Sequence, residues 1–241
     1  MTRWAILLLV LASPAHAAPR SGYADASPPV RAMQDDDTAN PGFLWVQQGE
    51  AIWADNCSSC HGAPTGMRGV SARYPAYDAK LGRPLTLEQR IEQCRTERER
   101  AAAFAPESDE LLAITAFVGL QSRGMPMAVD ASGPAQSFAE RGRELFTTRM
   151  GQLNLSCAQC HDDLAGHHLA GALIPQGQPN GYPLYRLEWQ SLGSLARRLR
   201  NCLTGVRAEP LAPDSPDLVA LELYLGTRAD GLTVETPAVR P

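Results

Sequence analysis

Phe, Leu, Ile and Trp residues recur at helix-like spacing over residues 42–56 and again over residues 134–150, so both stretches are predicted to be amphipathic helices. Four polar residues look like helix starts. Thr86-Leu87-Glu88-Gln89 places Gln three residues after a Thr cap, and Ser194 stands at the matching point further on. Ser108-Asp109-Glu110-Leu111 and Ser215-Pro216-Asp217-Leu218 open with Ser and carry acid in the first turn, where the helix dipole favours it. Pro/Gly-rich stretches such as 174–183 read as irregular loops. No strand-like alternation competes, and the fold class expected is all-α.

The helical segments come in pairs. Leu87-Glu88-Gln89-Arg90-Ile91-Glu92-Gln93-Cys94 and Leu195-Ala196-Arg197-Arg198-Leu199-Arg200-Asn201-Cys202 share the pattern L-x-x-R-[IL]-x-x-C. Residues 108–124 align without gaps onto 215–231, pairing Leu111 with Leu218, Ala113 with Ala220, Phe117 with Tyr224 and Gly119 with Gly226. Upstream, Gly49-Glu50-Ala51-Ile52-Trp53 resembles Gly142-Arg143-Glu144-Leu145-Phe146. The chain reads as a tandem duplication, with one unit over residues 43–130 and the other over 131–241.

The N-terminus bears on compartment. Arg3 precedes an apolar run, Trp4 to Ala12, and Ala15-His16-Ala17 has the small residues of a secretory cleavage site. The run is too short to span a bilayer, which takes about 20 apolar residues. Residues 1–17 are therefore expected to be a signal peptide, and the protein a periplasmic one without a membrane span. Residues 18–42, with Pro19, Gly22, Pro28, Pro29 and the acidic run Asp35-Asp36-Asp37, read as a flexible leader or partner-binding arm. A net charge of −4 argues against binding nucleic acid through a basic field.

The candidate chemistry lies in Cys57-Ser58-Ser59-Cys60-His61 and Cys157-Ala158-Gln159-Cys160-His161, both C-x-x-C-H. Two thiols at this spacing share one helix face and can add to the two vinyl groups of a haem, while the adjacent His turns its ring to the iron. Zinc would want four ligands per metal, and each half offers three Cys and few His. Two covalently attached haem c groups, in two tandem cytochrome c-like domains with long irregular loops, are the expectation.

For the remaining iron ligand, residues 151–241 contain neither Met nor Lys. His167 and His168 follow His161 too closely to reach round the same haem, and are read as loop or pocket-edge residues. Both halves share Cys94 and Cys202, which points to thiolate ligation at both irons and against a Cys94–Cys202 disulfide. Such a thiolate lowers the reduction potential of the iron and places a sulfur nucleophile beside a one-electron acceptor. Arg198 lies one helical turn before Cys202, where a guanidinium would favour the thiolate and bind a sulfur oxyanion. Arg197 and Arg200 are expected on a solvated helix face.

Further strings carry a family resemblance. They are Ile174-Pro175-Gln176-Gly177, residues 181–190, Gly193-Ser194-Leu195, Arg198 to Cys202, residues 205–210 and the ending Pro237-Ala238-Val239-Arg240-Pro241. Together they resemble the SoxA family, the dihaem cytochrome subunits of thiosulfate-oxidising Sox systems. The resemblance implies a heterodimer with a monohaem cytochrome, SoxX. It implies oxidative joining of thiosulfate to a cysteine of the carrier SoxYZ, with two electrons passing to a downstream cytochrome. It also implies that Cys202 is both haem ligand and reacting sulfur, found as a persulfide in the family, and that Arg198 contacts substrate. A plain dihaem electron carrier without sulfur transfer is the alternative.

Overall fold

The computed structural model describes residues 18–241, so the expected signal peptide, 1–17, lies outside the described residues. Helix α1 (Pro28–Asp35) precedes the first half. That half runs α2 (Phe43–Ile52), a wider π turn at Trp53–Cys57, α3 (Ser58–His61), strands β1 (Ala76–Asp78) and β2 (Arg83–Leu85), α4 (Leu87–Cys94) and α5 (Asp109–Leu120). The second half runs α6 (Gln136–Thr147), a π turn at Gln159–Asp163, β3 (His168–Leu169), β4 (Ala172–Leu173), β5 (Leu184–Arg186), β6 (Ser191–Gly193), α7 (Leu195–Gly205), α8 (Pro216–Arg228) and β7 (Ala238–Arg240). Helices dominate, but the all-α expectation misses seven short strands. Each is two or three residues long, too short for period-two alternation to register, and β2 even contains Pro84. β1 pairs antiparallel with β2 and β3 with β4, while β5 lies between antiparallel β6 and parallel β7.

The predicted caps form. Thr86 Oγ1 accepts from Gln89 N and the Gln89 side chain accepts from Thr86 N, closing the capping box at α4. Ser194 accepts from Arg197 N, Ser108 from Leu111 N and Ser215 from Leu218 N. Each Ser or Thr thereby satisfies an amide that the helix geometry leaves without an internal partner.

Each half is built on one helix crossing. A Cβ on Gly49 of α2 would lie 2.1 Å from the Ala113 carbonyl oxygen of α5, and a Cβ on Gly142 of α6 would lie 2.0 Å from that of Ala220 of α8. Only glycine permits the approach. Beside each crossing sits an aromatic pair, Trp53–Phe117 with centroids 5.9 Å apart and Phe146–Tyr224 at 5.5 Å. These are the residues that the sequence repeat pairs, so the repeated letters mark one repeated contact. The cores cross residue 130: Leu192 packs in the cluster around Val46, Trp53, Ile114 and Phe117, and Ala72 joins Val129, Leu223 and Val234.

Residues 18–42 are not a free leader. Ala26 and Val30 form a small core with Val239, Asn40 Nδ2 donates to Pro237 O at 2.8 Å, and Val239 N donates to the Gln34 side chain at 3.0 Å. Arg20 N donates to Gln176 Oε1 at 2.7 Å. The two ends of the chain complete one another, a pairing that local composition cannot show.

Glu222 of α8 stands where the first half has Thr115, and it is 6% exposed. Thr115 satisfies its hydroxyl on Leu111 O of its own helix, 2.7 Å away, which a carboxylate cannot do. Burial, then the charges of Glu88, Asp214 and Glu107, push the Glu222 carboxyl well above its ordinary value. Folding therefore favours its protonated form, and stability is lost as pH rises above about 4.5, the ordinary glutamate value. Glu222→Gln is expected to raise stability by on the order of 1–3 kcal/mol at neutral pH and to leave it nearly unchanged in acid, read by denaturant unfolding at both. Gly142→Ala is expected to cost about 1–3 kcal/mol in the same assay, because the neighbouring carbonyl is backbone and cannot swing away.

Candidate active site

In the second half the attachment segment starts from a local cap: Ser156 N donates to Gln159 Oε1 at 2.9 Å, and Gln159 N donates to Ser156 Oγ at 3.3 Å. Cys157 and Cys160 follow, both half-buried and free. Burial pushes the Cys157 thiol up to about 11, with the charge of nearby Cys202 as the next cause. His161 Nδ1 lies 2.8 Å from Pro175 O, which fixes the ring and leaves Nε2 as its remaining nitrogen. Gly177 backs onto the same ring, where a Cβ would sit 3.0 Å from Nδ1. Burial, then Arg198 and Arg228, lowers the His161 pKa, so the ring favours its neutral, ligand-competent form.

The first half repeats much of this. Cys57 and Cys60 end the run of α2 through its π turn into α3, and His61 stacks 5.8 Å from Trp53. Burial, then Glu99 and Cys94, pushes the Cys57 thiol up to about 11. Cys94 and Cys202 each lie eight residues after a helix cap, Thr86 and Ser194. The charge of each is felt by the first thiol of its own half, Cys94 by Cys57 and Cys202 by Cys157. All six cysteines are free.

Arg198 lies one turn before Cys202 on α7, and its Nη1 is 3.7 Å from Glu188 Oε1. Sequence reading missed the rest of its surroundings. Arg186, at the end of β5, places Nε 2.9 Å from the same carboxylate oxygen, and burial followed by the Arg198 charge lowers its pKa. Tyr182 is half-buried; desolvation pushes its pKa up to about 12, and it feels the charges of Arg198, Arg186 and Cys202. Tyr182, Arg186 and Glu188 all fall in the string 181–190 that carries the family resemblance, which was their one available signal. Arg228 closes another edge, paired with Asp162 at 2.6 Å and lying over the Phe146 ring at 4.4 Å.

Other expectations need correction. Arg197 is not on a solvated face: it stacks 4.2 Å over Trp189 and donates to Ser191 Oγ. Arg200 donates to Leu211 O at 3.0 Å. A helix wheel cannot show that a later loop or the preceding hairpin covers these positions. His167 and His168 are both exposed, but where a loop was expected His168 opens strand β3 and His167 stands just before it. Among the described residues no helix is long and apolar enough to cross a membrane.

Reduced thiols at paired spacing with an adjacent imidazole in each motif, the second one oriented by Pro175 O, and a further cysteine in each half, make a donor set that suits covalently held haem. The family model described as SoxA/TsdA, cytochrome c domain, matches residues 44–127 and 141–234. The chain belongs to the SoxA/TsdA cytochrome c family. A cytochrome c domain carries covalent haem c, and the two matched segments coincide with the two glycine crossings. The chain is 41% identical to the L-cysteine S-thiosulfotransferase subunit SoxA of Rhodovulum sulfidophilum, over 95% of this chain and 84% of that one. It is 40% identical to the SoxA subunit of Pseudaminobacter salicylatoxidans, over 91% and 80%. The crystal structure of SoxXA from P. pantotrophus superposes with a TM-score of 0.88 at 36% identity, covering 92% of this chain and 86% of that one.

Proposed function

We propose that this chain is the SoxA-type subunit of a periplasmic L-cysteine S-thiosulfotransferase that joins thiosulfate oxidatively to a carrier cysteine. The observation that carries this reading is the match of both C-x-x-C-H halves to the SoxA/TsdA cytochrome c domain, with Cys202 near enough to Cys157, and Arg198 to His161, for their charges to be felt. The relatives' names supply the reaction class. A SoxX-type monohaem cytochrome is the proposed partner, since the superposing structure is a SoxXA complex. SoxYZ is the proposed carrier, with a downstream cytochrome as electron acceptor. The signal peptide at 1–17 and two units, 43–130 and 131–241, descended from one by duplication complete the proposal.

Cys57 and Cys60 would hold one haem and Cys157 and Cys160 the other, with His61 and Cys94, and His161 and Cys202, as iron ligands. When bound, haem c supplies a one-electron acceptor. The overall change is carrier-S⁻ plus S–SO₃²⁻ giving carrier-S–S–SO₃⁻ plus two electrons: one S–S bond forms, and the two sulfurs joined are each oxidised by one electron. Cys202 takes part by two balanced steps: Cys202-S⁻ plus S–SO₃²⁻ gives Cys202-S–S–SO₃⁻ plus two electrons, and the carrier thiolate then attacks the outer sulfur and displaces Cys202-S⁻, so that the net change is the one above. Arg198 binds the sulfonate oxygens and favours the anionic sulfur. Because the two electrons must leave singly, a second acceptor is required, which the other haem or the partner would provide.

Cys202→Ala is expected to abolish thiosulfate-dependent modification of the carrier cysteine while both haems stay attached, measured by carrier mass and haem staining; persisting turnover overturns the assignment. Arg198→Ala is expected to raise the thiosulfate KM by roughly ten- to a hundredfold with little change in the optical spectrum, the size of a lost charged hydrogen bond. An unaltered KM would return Arg198 to a merely structural role.

A further inference from the structure

Counted from the helix caps Thr86 and Ser194, the two halves place different charges at the same positions. Eight residues before the cap stands Asp78 in the first half and Arg186 in the second, each the last residue of its hairpin's first strand. Six before it stands Lys80 against Glu188, and four after it Arg90 against Arg198. The helix arginine is kept while its two hairpin neighbours exchange sign.

The consequence in the first half is a closed pair. Arg90 Nη2 donates to Asp78 Oδ2 at 2.6 Å, and Asp78 Oδ1 accepts from the backbone of Lys80 and Leu81 at 2.8 and 2.9 Å. Asp78 is 7% exposed, so its charge is fixed and fully used. In the second half the corresponding place holds a second guanidinium. Arg186 and Arg198 both reach the same Glu188 oxygen, and that carboxylate has moved out onto the hairpin loop. The Glu188 side chain is 50% exposed, and one of its oxygens spans both arginines, at 2.9 Å and 3.7 Å. Arg186 Nε is buried without a well-directed hydrogen bond.

The hairpin holds these parts in place. Trp189 N and Gln190 N both donate to Arg186 O, at 3.1 and 2.8 Å, closing the turn that carries Glu188. Trp189 stacks between Arg186 at 5.2 Å and Arg197 at 4.2 Å, and lies so close to Gly193 that a Cβ there would meet its ring at 2.4 Å. The backbone is therefore rigid, and the Glu188 side chain is the part free to swing into solvent.

We propose that Arg186 and Arg198 form a two-guanidinium clamp for the sulfonate of thiosulfate, and that Glu188 is an internal anion that fills the clamp until substrate displaces it. Two adjacent guanidinium groups repel one another and favour an anion between them, and a dianionic sulfur oxyanion offers more acceptor oxygens and more charge than one carboxylate. A monoanion gains less by the exchange. Glu188 thus sets a threshold that favours dianionic oxyanions. The identity of the substrate rests on the function proposed above; the clamp itself does not.

The test uses the haem-loaded complex with its partner and carrier, with sulfate as a dead-end dianion. Glu188→Gln keeps the shape and removes the charge. It is expected to lower the thiosulfate KM and the sulfate inhibition constant together by about two- to fivefold, the size of a lost half-exposed ion pair, the effect falling on KM rather than on kcat. Arg186→Asp recreates the first half's closed pair and is expected to abolish sulfate binding in calorimetry while the haem spectrum is kept; Arg186→Gln should weaken it. Unchanged KM and sulfate affinity in Glu188→Gln, or unchanged sulfate binding in both Arg186 variants, overturns the proposal. Sulfate binding that obeys these rules in a complex with no thiosulfate coupling would instead overturn the function and leave the clamp standing.

Discussion

Close contact of Gly49 with the Ala113 carbonyl, and of Gly142 with that of Ala220, is the constraint on which the rest depends. At that separation the paired helices cannot slide or rotate without backbone collision, so the end of each first helix is placed against a fixed partner. The first C-x-x-C-H segment continues directly from its helix end, and the second follows α6 after a short connecting stretch closed by the Met150–Leu155 bridge. Trp53 and Phe146 lie beside the crossings, each paired with the aromatic ring of the partner helix, Phe117 or Tyr224. A haem-holding segment positioned in this way needs no long sheet or large core to orient it, which suits units of barely a hundred residues each.

The repeat was legible because the crossing tolerates so little. Glycine, alanine and one aromatic at fixed offsets are dictated by contact, and they survive as recognisable letters in both halves. The helix caps were legible for the same kind of reason: an unpaired amide at each helix start admits few side chains. The C-x-x-C-H motifs were visible because covalent chemistry sets their spacing. What escaped was whatever depends on distant pairing. The strands are too brief to show a period, and the 18–42 segment looks unstructured until Val239 and Pro237 arrive from the other end of the chain to cover it. Arg197 looked solvated because Trp189 reaches it from the hairpin before its helix.

Within the site, the cysteine and arginine of α7 could be read from helical spacing alone, since four residues apart means one turn on one face. Tyr182, Arg186 and Glu188 could not, because a hairpin's side chains are brought to a helix only by the turn that folds it back. Their presence changes what Arg198 is. On a bare helix it would be a single charge in water, weak and screened. Beside half-buried Tyr182 and Arg186 it belongs to a partly desolvated patch, where an anion is held more strongly.

Repetition of a scaffold does not oblige its copies to share a task. The caps, the helix arginine and the cysteine eight residues on are common to both halves, so whatever they build is built twice. Ahead of the caps lie matching hairpin positions that carry opposite charge, Asp78 and Arg186, Lys80 and Glu188. An arginine sealed by a buried aspartate presents no net charge to an anionic substrate, whereas two arginines balanced by one half-exposed carboxylate do. Two substitutions at the edge of a three-residue strand are thus enough to turn a structural ion pair into a binding surface, with the backbone of both halves unchanged beneath them.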